Sequence, residues 1–399
     1  MSKPDIAIVG SGSIGMGIAR GLLEKEPGLS ITVYEKEQSF GSHASARNSG
    51  VLHAGFYYSP ESLKARFCRE GRDELESLIS KHSIPFKKVG KVVVAQNEDE
   101  DIRIETLLRR GVANGVQLER LPSSDLSNFE PLAKTFGSFL WSPNTSISNP
   151  SLINSAIREE LENKGVRFLS NSKVSVNNEI WLNNNQPINA KYYVNAGGAW
   201  ALDIAHQISL GKNFRTMPFL GLYKQTALVN LPIRTLVYPV PHPINPFLGV
   251  HFTLTIDGKV KIGPSALPII GKDQYTLKSS VSPLEILNYA KNLYSLSKGN
   301  KHDLLAMMKY EVPKLFTANL VDSAAYLVPK AKQIKDWHQK SPGIRGQLID
   351  IRNGELVQDF LIENTEKSTH VLNAVSPGWT AAIPFGRHIA LSVLERMRI

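Results

Sequence analysis

The first residues with a recognisable chemical pattern are three glycines near the N-terminus. The segment Gly10-Ser11-Gly12-Ser13-Ile14-Gly15 matches G-x-G-x-x-G and directly follows a short apolar run. In this pattern Gly10 permits a tight turn, Gly12 lets the backbone approach a pyrophosphate, and Gly15 allows close packing of helix on strand. Glu35 follows twenty residues after Gly15, where a carboxylate accepts hydrogen bonds from a ribose diol. The pattern predicts a dinucleotide site but leaves open NAD, FAD or a glycine turn without ligand.

Other kinds of chemistry are not indicated. Cys68 is the only cysteine, so an internal disulfide or a cysteine-based metal centre is excluded. The ten histidines are dispersed, without a His-x-x-x-His pair, and no carboxylate cluster shows ligand spacing. The nucleophile pattern G-x-S-x-G is also missing from the sequence. We therefore expect no metal site and no serine-hydrolase site.

The chain carries a formal net charge of +10. This excess could serve an anionic substrate, an anionic membrane surface or nucleic acid, but the charges are scattered, as on an ordinary solvated surface. Aromatic residues do not alternate with them, so no nucleic-acid partner is expected. Met1-Ser2-Lys3-Pro4 leads directly into an apolar run without a cleavage site. We expect a cytoplasmic protein, with peripheral contact at the inner membrane face as a further role for the charge.

The periodicity of apolar residues predicts an opening β-α-β unit. Asp5–Val9 is a buried strand, Ile14–Glu26 is an amphipathic helix ended by Pro27-Gly28, and Ile31–Tyr34 is a second strand. A Pro-rich segment from about Met217 to Ile270 alternates apolar and polar residues and predicts antiparallel strands outside this unit. With 399 residues, the chain is long enough for two domains.

Four further segments carry a family resemblance. The first is Ser45-Ala46-Arg47-Asn48-Ser49-Gly50-Val51-Leu52-His53-Ala54-Gly55-Phe56-Tyr57-Tyr58. The others are Asn195-Ala196-Gly197-Gly198-Ala199-Trp200, Leu248-Gly249-Val250-His251-Phe252-Thr253 and Ser376-Pro377-Gly378-Trp379-Thr380-Ala381. Together they resemble the D-amino-acid-oxidase-like class of FAD enzymes, and within it the L-2-hydroxyglutarate dehydrogenase/oxidase family. The resemblance covers nearly the whole chain.

The resemblance implies an α/β fold in which a Rossmann-like, doubly wound FAD-binding domain is interleaved with an antiparallel-sheet α+β substrate domain. We expect residues 1–88, 141–215 and 340–399 to form the FAD domain, and residues 89–140 and 216–339 the substrate or cap domain. FAD should be noncovalent. Its expected contacts are Gly10, Gly12, Ile14, Gly15, Glu35, Lys36, Ser45, Arg47, Asn48, Ser49, Gly50, Val174, Ala196, Gly197, Trp200, Gly378, Trp379 and Thr380. A solvated charge is the alternative role for Lys36.

For this family the implied reaction is oxidation of a 2-hydroxy acid, which needs a hydride acceptor, a base and a cation for the carboxylate. His53 is the candidate base, since histidine titrates in the working range, and Arg345 resembles the family's carboxylate-binding arginine. The expected substrate contacts are Tyr57, Tyr58, His251, Thr253, Arg345 and Gln347. A hydrogen-bonded core position is the alternative for each histidine, a surface ion pair for Arg345, and simple packing for the two tyrosines.

The chain also departs from the family pattern. Members of the family carry Arg and Glu in the segment where this chain has Leu220 and Leu222, and Trp379 replaces a smaller apolar residue. We expect L-2-hydroxyglutarate or a close 2-hydroxy dicarboxylate as substrate and a quinone or oxygen as electron acceptor. The alternatives are an amine or amino-acid oxidase of the same class and an assembly factor that keeps FAD without catalysis.

Overall fold

The computed structural model describes residues 3–242, 247–276, 279–299 and 304–398. The helices in this part of the chain are α1 (Ser13–Lys25), α2 (Leu63–Lys81), α3 (Glu98–Ala113), α4 (Leu126–Phe129), α5 (Pro150–Asn163), α6 (Ala201–His206), α7 (Pro283–Ser297), α8 (Leu304–Glu311), α9 (Thr317–Ala325) and α10 (Ala382–Met397). None of the helices among the described residues is long and apolar enough to cross a membrane.

The strands of the same ranges are mostly short, apart from two long ones. They are β1 (Ile6–Val9), β2 (Ile31–Tyr34), β3 (Val51–Leu52), β4 (Phe86–Lys88), β5 (Lys91–Val94), β6 (Glu119–Pro122), β7 (Ser138–Ser142), β8 (Ser146–Ser148), β9 (Arg167–Leu169), β10 (Val174–Asn177), β11 (Ile180–Asn183), β12 (Gln186–Pro187), β13 (Tyr192–Asn195), β14 (Phe214–Ala227), β15 (Leu236–Pro239), β16 (His251–Leu254), β17 (Lys259–Gly263), β18 (Leu267–Pro268), β19 (His338–Asp350), β20 (Glu355–Leu356), β21 (Leu361–Asn364) and β22 (Ser368–Asn373).

A six-stranded sheet in the order β21-β22-β13-β1-β2-β9 contains the predicted β-α-β unit. Strand β1 is parallel to both β13 and β2, and all four of its residues are buried. Ile6 and Ile8 pack in a core that includes residues of α1, α5 and α10. Ala7 and Val9 face the other way, towards residues of β10, β11 and α6. An apolar run without alternation is therefore explained by a strand that is covered on both faces.

The second large sheet has ten strands, in the order β20-β19-β14-β17-β16-β15-β5-β7-β6, with β18 beside β14. Its pairs are antiparallel except for β15 and β5. The antiparallel strands predicted between Met217 and Ile270 are confirmed in the described part, while residues 243–246 lie outside it. Strand β16 carries His251 and Thr253, and β19 carries Arg345 and Gln347. This sheet thus positions the expected substrate residues.

The predicted domain boundaries stay a prediction. The strands of the six-stranded sheet all fall within the segments assigned to the FAD domain. However, β14 runs from Phe214 to Ala227 and β19 from His338 to Asp350, so each continues through one of the proposed boundaries. These two strands pair along most of their length and join the two parts of the chain.

Helices α1 and α10 pack with their backbones in contact. A Cβ built on Gly17 would lie 2.2 Å from the Ala382 carbonyl oxygen, and one on Gly386 would lie 2.2 Å from the Gly17 carbonyl carbon. No side chain fits between the helices at these positions, since backbone atoms cannot rotate away. The contact fixes α10 against α1 and so positions the segment that precedes α10.

We expect Gly386→Ala to lower the free energy of unfolding of the FAD-loaded protein by about 2 to 3 kcal/mol, because overpacking forces the helices apart. Gly28→Ala is the matched control. No heavy atom lies within 4 Å of a Cβ at Gly28, so its effect should stay within about 0.5 kcal/mol. Thermal and urea unfolding would measure both changes. Equal stability of the two variants would contradict the proposed contact.

Candidate functional site

A cleft of about 560 Å³ lies at the carboxyl ends of β1, β2 and β13. In parallel sheets this edge is the usual place for a ligand. Sixteen of the residues expected to contact the cofactor line the cleft: Gly10, Gly12, Ile14, Glu35, Lys36, Ser45, Arg47, Asn48, Ser49, Val174, Ala196, Gly197, Trp200, Gly378, Trp379 and Thr380. Gly15 and Gly50 do not line it. The structure therefore brings together most of a set of residues that spans the whole sequence.

The glycine turn forms one wall of the cleft through its backbone. Gly10 has φ +96°, and a Cβ there would lie 2.4 Å from the Ala196 carbonyl oxygen. A Cβ on Gly15 would lie 2.0 Å from the Gly10 carbonyl oxygen, so Gly15 serves packing of α1 on β1, as its place in the motif predicts. Gly12 precedes the first turn of α1 and has no side-chain cap. Apart from the Ser13 amide, which donates to the Ser45 hydroxyl, the N–H groups of that turn can therefore serve an anionic ligand.

Glu35 is held at the end of β2 by the glycine turn. Its Oε2 accepts hydrogen bonds from the Ser11 amide at 3.1 Å and the Ser11 hydroxyl at 2.6 Å. Its Oε1 accepts one bond, from the Glu37 amide at 3.0 Å. A carboxylate oxygen has two acceptor sites, so Oε1 keeps the capacity to accept a bond from a ribose hydroxyl. The carboxylate is thereby oriented before any ligand arrives.

A cluster of charged and aromatic side chains stands at the Glu35 end of the cleft. Lys36 contacts Glu37, lies 3.7 Å from Asp273, and is placed 4.0 Å from the centre of the Trp200 ring. His43 completes it, with Nε2 3.0 Å from Glu37 and Nδ1 2.6 Å from the Tyr275 hydroxyl.

The side chains of Glu37, His43 and Asp273 are close enough together for a metal ion. This grouping was not expected from the sequence, because Asp273 lies 230 residues beyond His43 along the chain. Lys36 already supplies the positive charge between the two carboxylates. The cluster therefore forms a charged rim, in which Lys36 is paired rather than simply solvated.

The segment from Ser45 to Gly50 folds back over the cleft. The Ser45 hydroxyl accepts a hydrogen bond from the Ser13 amide at 2.9 Å, which ties the segment to α1. Asn48 bonds the Ser45 carbonyl at 2.9 Å and accepts from the Gly50 amide at 2.9 Å. Arg47 donates to the Ser42 carbonyl at 3.0 Å and lies 4.2 Å from the Tyr275 ring centre. Gly50, with φ +78°, meets Ser148 rather than the cleft.

The segment before α10 closes the opposite end of the cleft. The Thr380 hydroxyl donates to the Val51 carbonyl at 3.4 Å and lies 3.5 Å from the His53 amide. A Cβ on Gly378 would lie 2.2 Å from the Ala374 carbonyl oxygen, so this turn requires glycine at that position. The expected substrate base and the C-terminal motif are therefore neighbours, although 327 residues separate them.

His53 lines the cleft, whereas His251 lies behind it. Burial, the charge of Lys91 and then His251 hold the pKa of His53 well below its usual value of 6.5. His251 is 5% exposed, with Nδ1 2.8 Å from the Gly249 carbonyl and its ring stacked 3.8 Å from that of Tyr238. Burial lowers the pKa of His251 to about 3. Both imidazoles are thus neutral near pH 7, and His53 alone of the two reaches the cleft.

Arg345 also lines the cleft. One of its guanidinium N–H groups donates to the Ser265 carbonyl at 3.3 Å, and no carboxylate among the described residues pairs with it. A guanidinium with free N–H groups suits bidentate binding of a carboxylate. Within the described ranges, the alternative of a surface ion pair is not observed for this residue.

The remaining expected substrate residues are not at the cleft surface. Gln347 donates to the Val357 carbonyl, so it is held within the sheet and away from the other candidates. The hydroxyl groups of Tyr57 and Thr253 are buried; within the described ranges that of Tyr57 has no hydrogen-bond partner, and that of Thr253 contacts Tyr238. Burial raises the pKa of Tyr58.

The two leucines that depart from the family pattern have a packing role. Leu220 is 1% exposed and lies in a cluster with Leu267, Ile269 and Ile344, and Leu222 packs against the same cluster. The neighbouring Gly221 and Tyr223 line the cleft instead. The loss of polar residues at 220 and 222 therefore leaves the cleft wall intact.

The site residues that sequence reasoning missed include Tyr223, Tyr275 and Lys91. Tyr223 and Tyr275 line the cleft but resemble ordinary strand and loop aromatics in the sequence. Lys91 lies behind His53 and is fully buried. The sequence did contain one indication of this residue: a single lysine lies between Gly90 and the apolar run Val92-Val93-Val94. Lysine is rarely fully buried unless it is paired, so a lysine in a buried strand suggests a binding role.

The described residues fit FAD. The cleft is continuous from Glu35 and Trp200 at one end to His53 and Thr380 at the other, as an extended dinucleotide requires. A Cβ at Gly12 would lie 3.0 Å from the Ser45 hydroxyl oxygen. Only glycine at this position therefore leaves the backbone accessible to a pyrophosphate. The residues that would hold FAD are therefore those of the glycine turn, Glu35, the Ser45 segment and the segment before α10.

Comparison with known proteins agrees with this geometry. The L-2-hydroxyglutarate dehydrogenase of Escherichia coli K12 is 32% identical over 98% of this chain and 93% of its own length. The mitochondrial L-2-hydroxyglutarate dehydrogenase of Caenorhabditis briggsae is 31% identical over 100% of this chain and 95% of its own. The L-alpha-glycerophosphate oxidase of Mycoplasma pneumoniae, solved with FAD bound, is 22% identical with a TM-score of 0.75, over 99% of this chain and 95% of its own.

The last comparison shows the fold, and the first two show kinship at the level of sequence. Residues 5–391 match the model of the family described as FAD dependent oxidoreductase. The match includes every residue of the cleft described above. This chain belongs to the FAD-dependent oxidoreductase family.

Proposed function

We propose that the protein oxidises L-2-hydroxyglutarate, or a close 2-hydroxy dicarboxylate, to the corresponding 2-oxo acid. The observation that carries the proposal is that a neutral imidazole, His53, and an unpaired guanidinium, Arg345, line one cleft. The two relatives named above, each about 31% identical to this chain, are L-2-hydroxyglutarate dehydrogenases, and the match covers nearly their full length. This similarity supports the same substrate.

In this proposal Arg345 binds the carboxylate next to the reacting carbon and so orients the substrate. His53 accepts the hydroxyl proton, which its lowered pKa leaves it free to do at neutral pH. The hydrogen on the same carbon leaves with its electron pair, and the carbon–oxygen double bond forms. FAD, when bound, supplies the acceptor for that hydride. The enclosed setting of His53 keeps bulk water from competing for the proton.

A panel of acids tests the proposal. Mixed anaerobically with L-2-hydroxyglutarate, the FAD-loaded protein should lose its flavin colour and form 2-oxoglutarate without ammonia. Amino acids and amines should leave the flavin oxidised. Reduction by an amino acid with release of ammonia would favour the amino-acid oxidase alternative, and a flavin that stays oxidised with the whole panel would favour an assembly factor.

Substitution of the two proposed catalytic residues should have different effects. Arg345→Lys keeps the charge but loses the planar fork, so KM should rise about tenfold or more while flavin remains bound. His53→Gln should lower the rate of flavin reduction at saturating substrate about a hundredfold, a usual scale for losing a general base. Stopped-flow absorbance at saturating substrate separates the two effects.

The pH profile provides the accompanying check. Because the pKa of His53 lies well below 6.5, the wild-type rate of flavin reduction should stay level as pH falls from 8 to about 6.5. If both variants reduce their flavin as fast as wild type, with unchanged dependence on substrate, the assignment of roles is wrong.

The electron acceptor in the proposal is a quinone or oxygen. A quinone acceptor would require the protein to dock on a membrane surface. The net charge of +10 would favour a membrane with anionic lipids. Under this proposal the protein should bind anionic vesicles at low salt and dissociate as salt is added. Equal recovery from neutral and anionic vesicles would leave the basic surface with a solvation role only.

A further inference from the structure

Among the described residues, Lys91 is a buried amine without a hydrogen-bond or ion-pair partner. It begins β5, its side chain is 0% exposed, and its Nζ forms no hydrogen bond. No ion pair to it exists among the described residues, whereas buried Lys314 pairs with Glu311 at 2.6 Å. Burying an ammonium group in this way is unfavourable unless something compensates it. Burial lowers the pKa of Lys91 to about 7, as expected for an amine that is removed from water and has no carboxylate beside it.

Three aromatic rings surround the ammonium group. Its Nζ lies 4.9 Å from the ring centre of Phe56, 5.1 Å from that of Tyr57 and 4.5 Å from that of Tyr238. Ring faces attract a cation, with a contribution of roughly 1 to 2 kcal/mol for a desolvated contact. This attraction holds the ammonium in place but satisfies none of its three donors. The cage fixes the position of the donors and leaves them for another group.

The unpaired atoms around Lys91 are not confined to the lysine. The hydroxyl groups of Tyr57, Tyr238 and Thr253 are also buried, and within the described ranges the contact between Tyr238 and Thr253 is the one interaction that pairs any of them. Tyr238 stacks on His251, and Thr253 lies close enough to the Tyr238 hydroxyl to influence its pKa. Buried polar atoms are rarely left unpaired in native proteins. The Lys91 amine and the Tyr57 hydroxyl therefore remain without an acceptor among the described residues, which indicates a position for a ligand that carries hydrogen-bond acceptors.

This group adjoins the proposed reaction site. The charge of Lys91 lowers the pKa of both His53 and His251, and Arg345 acts on His251 as well. No carboxylate contributes to the pKa of either histidine. A ligand that contacts both Lys91 and Arg345 must therefore carry more than one negative charge, since both are without a carboxylate within the described ranges.

We propose that Lys91 binds the second carboxylate of a dicarboxylate substrate, and that the side chains of Phe56, Tyr57 and Tyr238, which enclose the amine, move apart to admit it. The tyrosine hydroxyls donate to the same carboxylate, while Arg345 holds the carboxylate beside the reacting carbon. Lys91 is thus the residue that makes the site prefer a 2-hydroxy dicarboxylate over a 2-hydroxy monocarboxylate. This assignment rests on the proposed function for the identity of the reacting group, but its charge argument concerns binding alone.

The test is Lys91→Met, which keeps an unbranched side chain, one heavy atom shorter, and removes the amine. Two unreactive probes are used, glutarate with two carboxylates and butyrate with one. Their binding to the FAD-loaded protein is measured from the change that each causes in the flavin absorbance. Loss of Lys91 should weaken glutarate about thirtyfold or more, the usual scale for removing one member of a buried charge pair. Butyrate should bind within about twofold of wild type, because its single carboxylate uses Arg345. The kcat/KM values of L-2-hydroxyglutarate and L-2-hydroxybutyrate should diverge in the same way.

A merely structural role for Lys91 predicts a different result. Since the lysine has no partner, Lys91→Met should unfold at the same temperature as wild type or higher. A lower unfolding temperature with equal weakening of glutarate and butyrate would overturn the proposal.

Lys261→Met is the matched control, since Lys261 is 7% exposed, donates to the Ser49 carbonyl and also acts on His251. If Lys261→Met lost the preference for glutarate over butyrate while Lys91→Met kept it, Lys261 would be the residue that binds the second carboxylate. A different result would separate the two proposals. If the wild-type protein bound glutarate through Lys91 but its flavin was not reduced by any 2-hydroxy acid, the proposed function would be wrong and the role of Lys91 in binding would stand.

Discussion

The close approach of two backbone segments at the end of β1 is the constraint on which the rest of the structure depends. Gly10 lies so near the Ala196 carbonyl that a Cβ would come within 2.4 Å of its oxygen, and Gly15 is as close to Gly10. Because no side chain intervenes, β1, the first turn of α1 and the end of β13 form one surface of backbone. That surface is the wall of the cleft, and Glu35 and the Ser45 segment are oriented by bonds to residues 11 and 13 of the same turn.

The reaction end of the cleft is organised by electrostatics. His53 and His251 remain neutral because burial and nearby cations disfavour their protonated forms. Lys91 and Arg345 supply positive charge without protein carboxylates, so the site as a whole is complementary to an anion. Keeping these groups unpaired is unfavourable for folding, and the aromatic cage and the extensive apolar cores around both sheets offset that effect. Sites that bind charged ligands commonly combine stability elsewhere with unsatisfied groups at the centre.

Two departures from the family pattern acquire a physical explanation only in the folded protein. Leu220 and Leu222 belong to an apolar cluster beneath β14, while the intervening Gly221 and the following Tyr223 face the cleft. The alternation of a strand separates the two roles, since neighbouring residues point to opposite faces. A change of polarity at positions 220 and 222 therefore affects the packing of the sheet before it affects the ligand.

The sequence by itself determined the β-α-β unit, the dinucleotide site and its acid, because each rests on contacts between near neighbours in the chain: a glycine turn, a helix start and a strand twenty residues later. It also indicated His53 and Arg345 through local motifs. Only the tertiary structure decided that Gln347 is held within the sheet, that His251 lies behind the cleft, and that Lys91, Tyr57, Tyr238 and Thr253 share one buried group. These outcomes depend on strand register and on packing between distant segments, and a one-residue shift of register would turn each side chain to the other face.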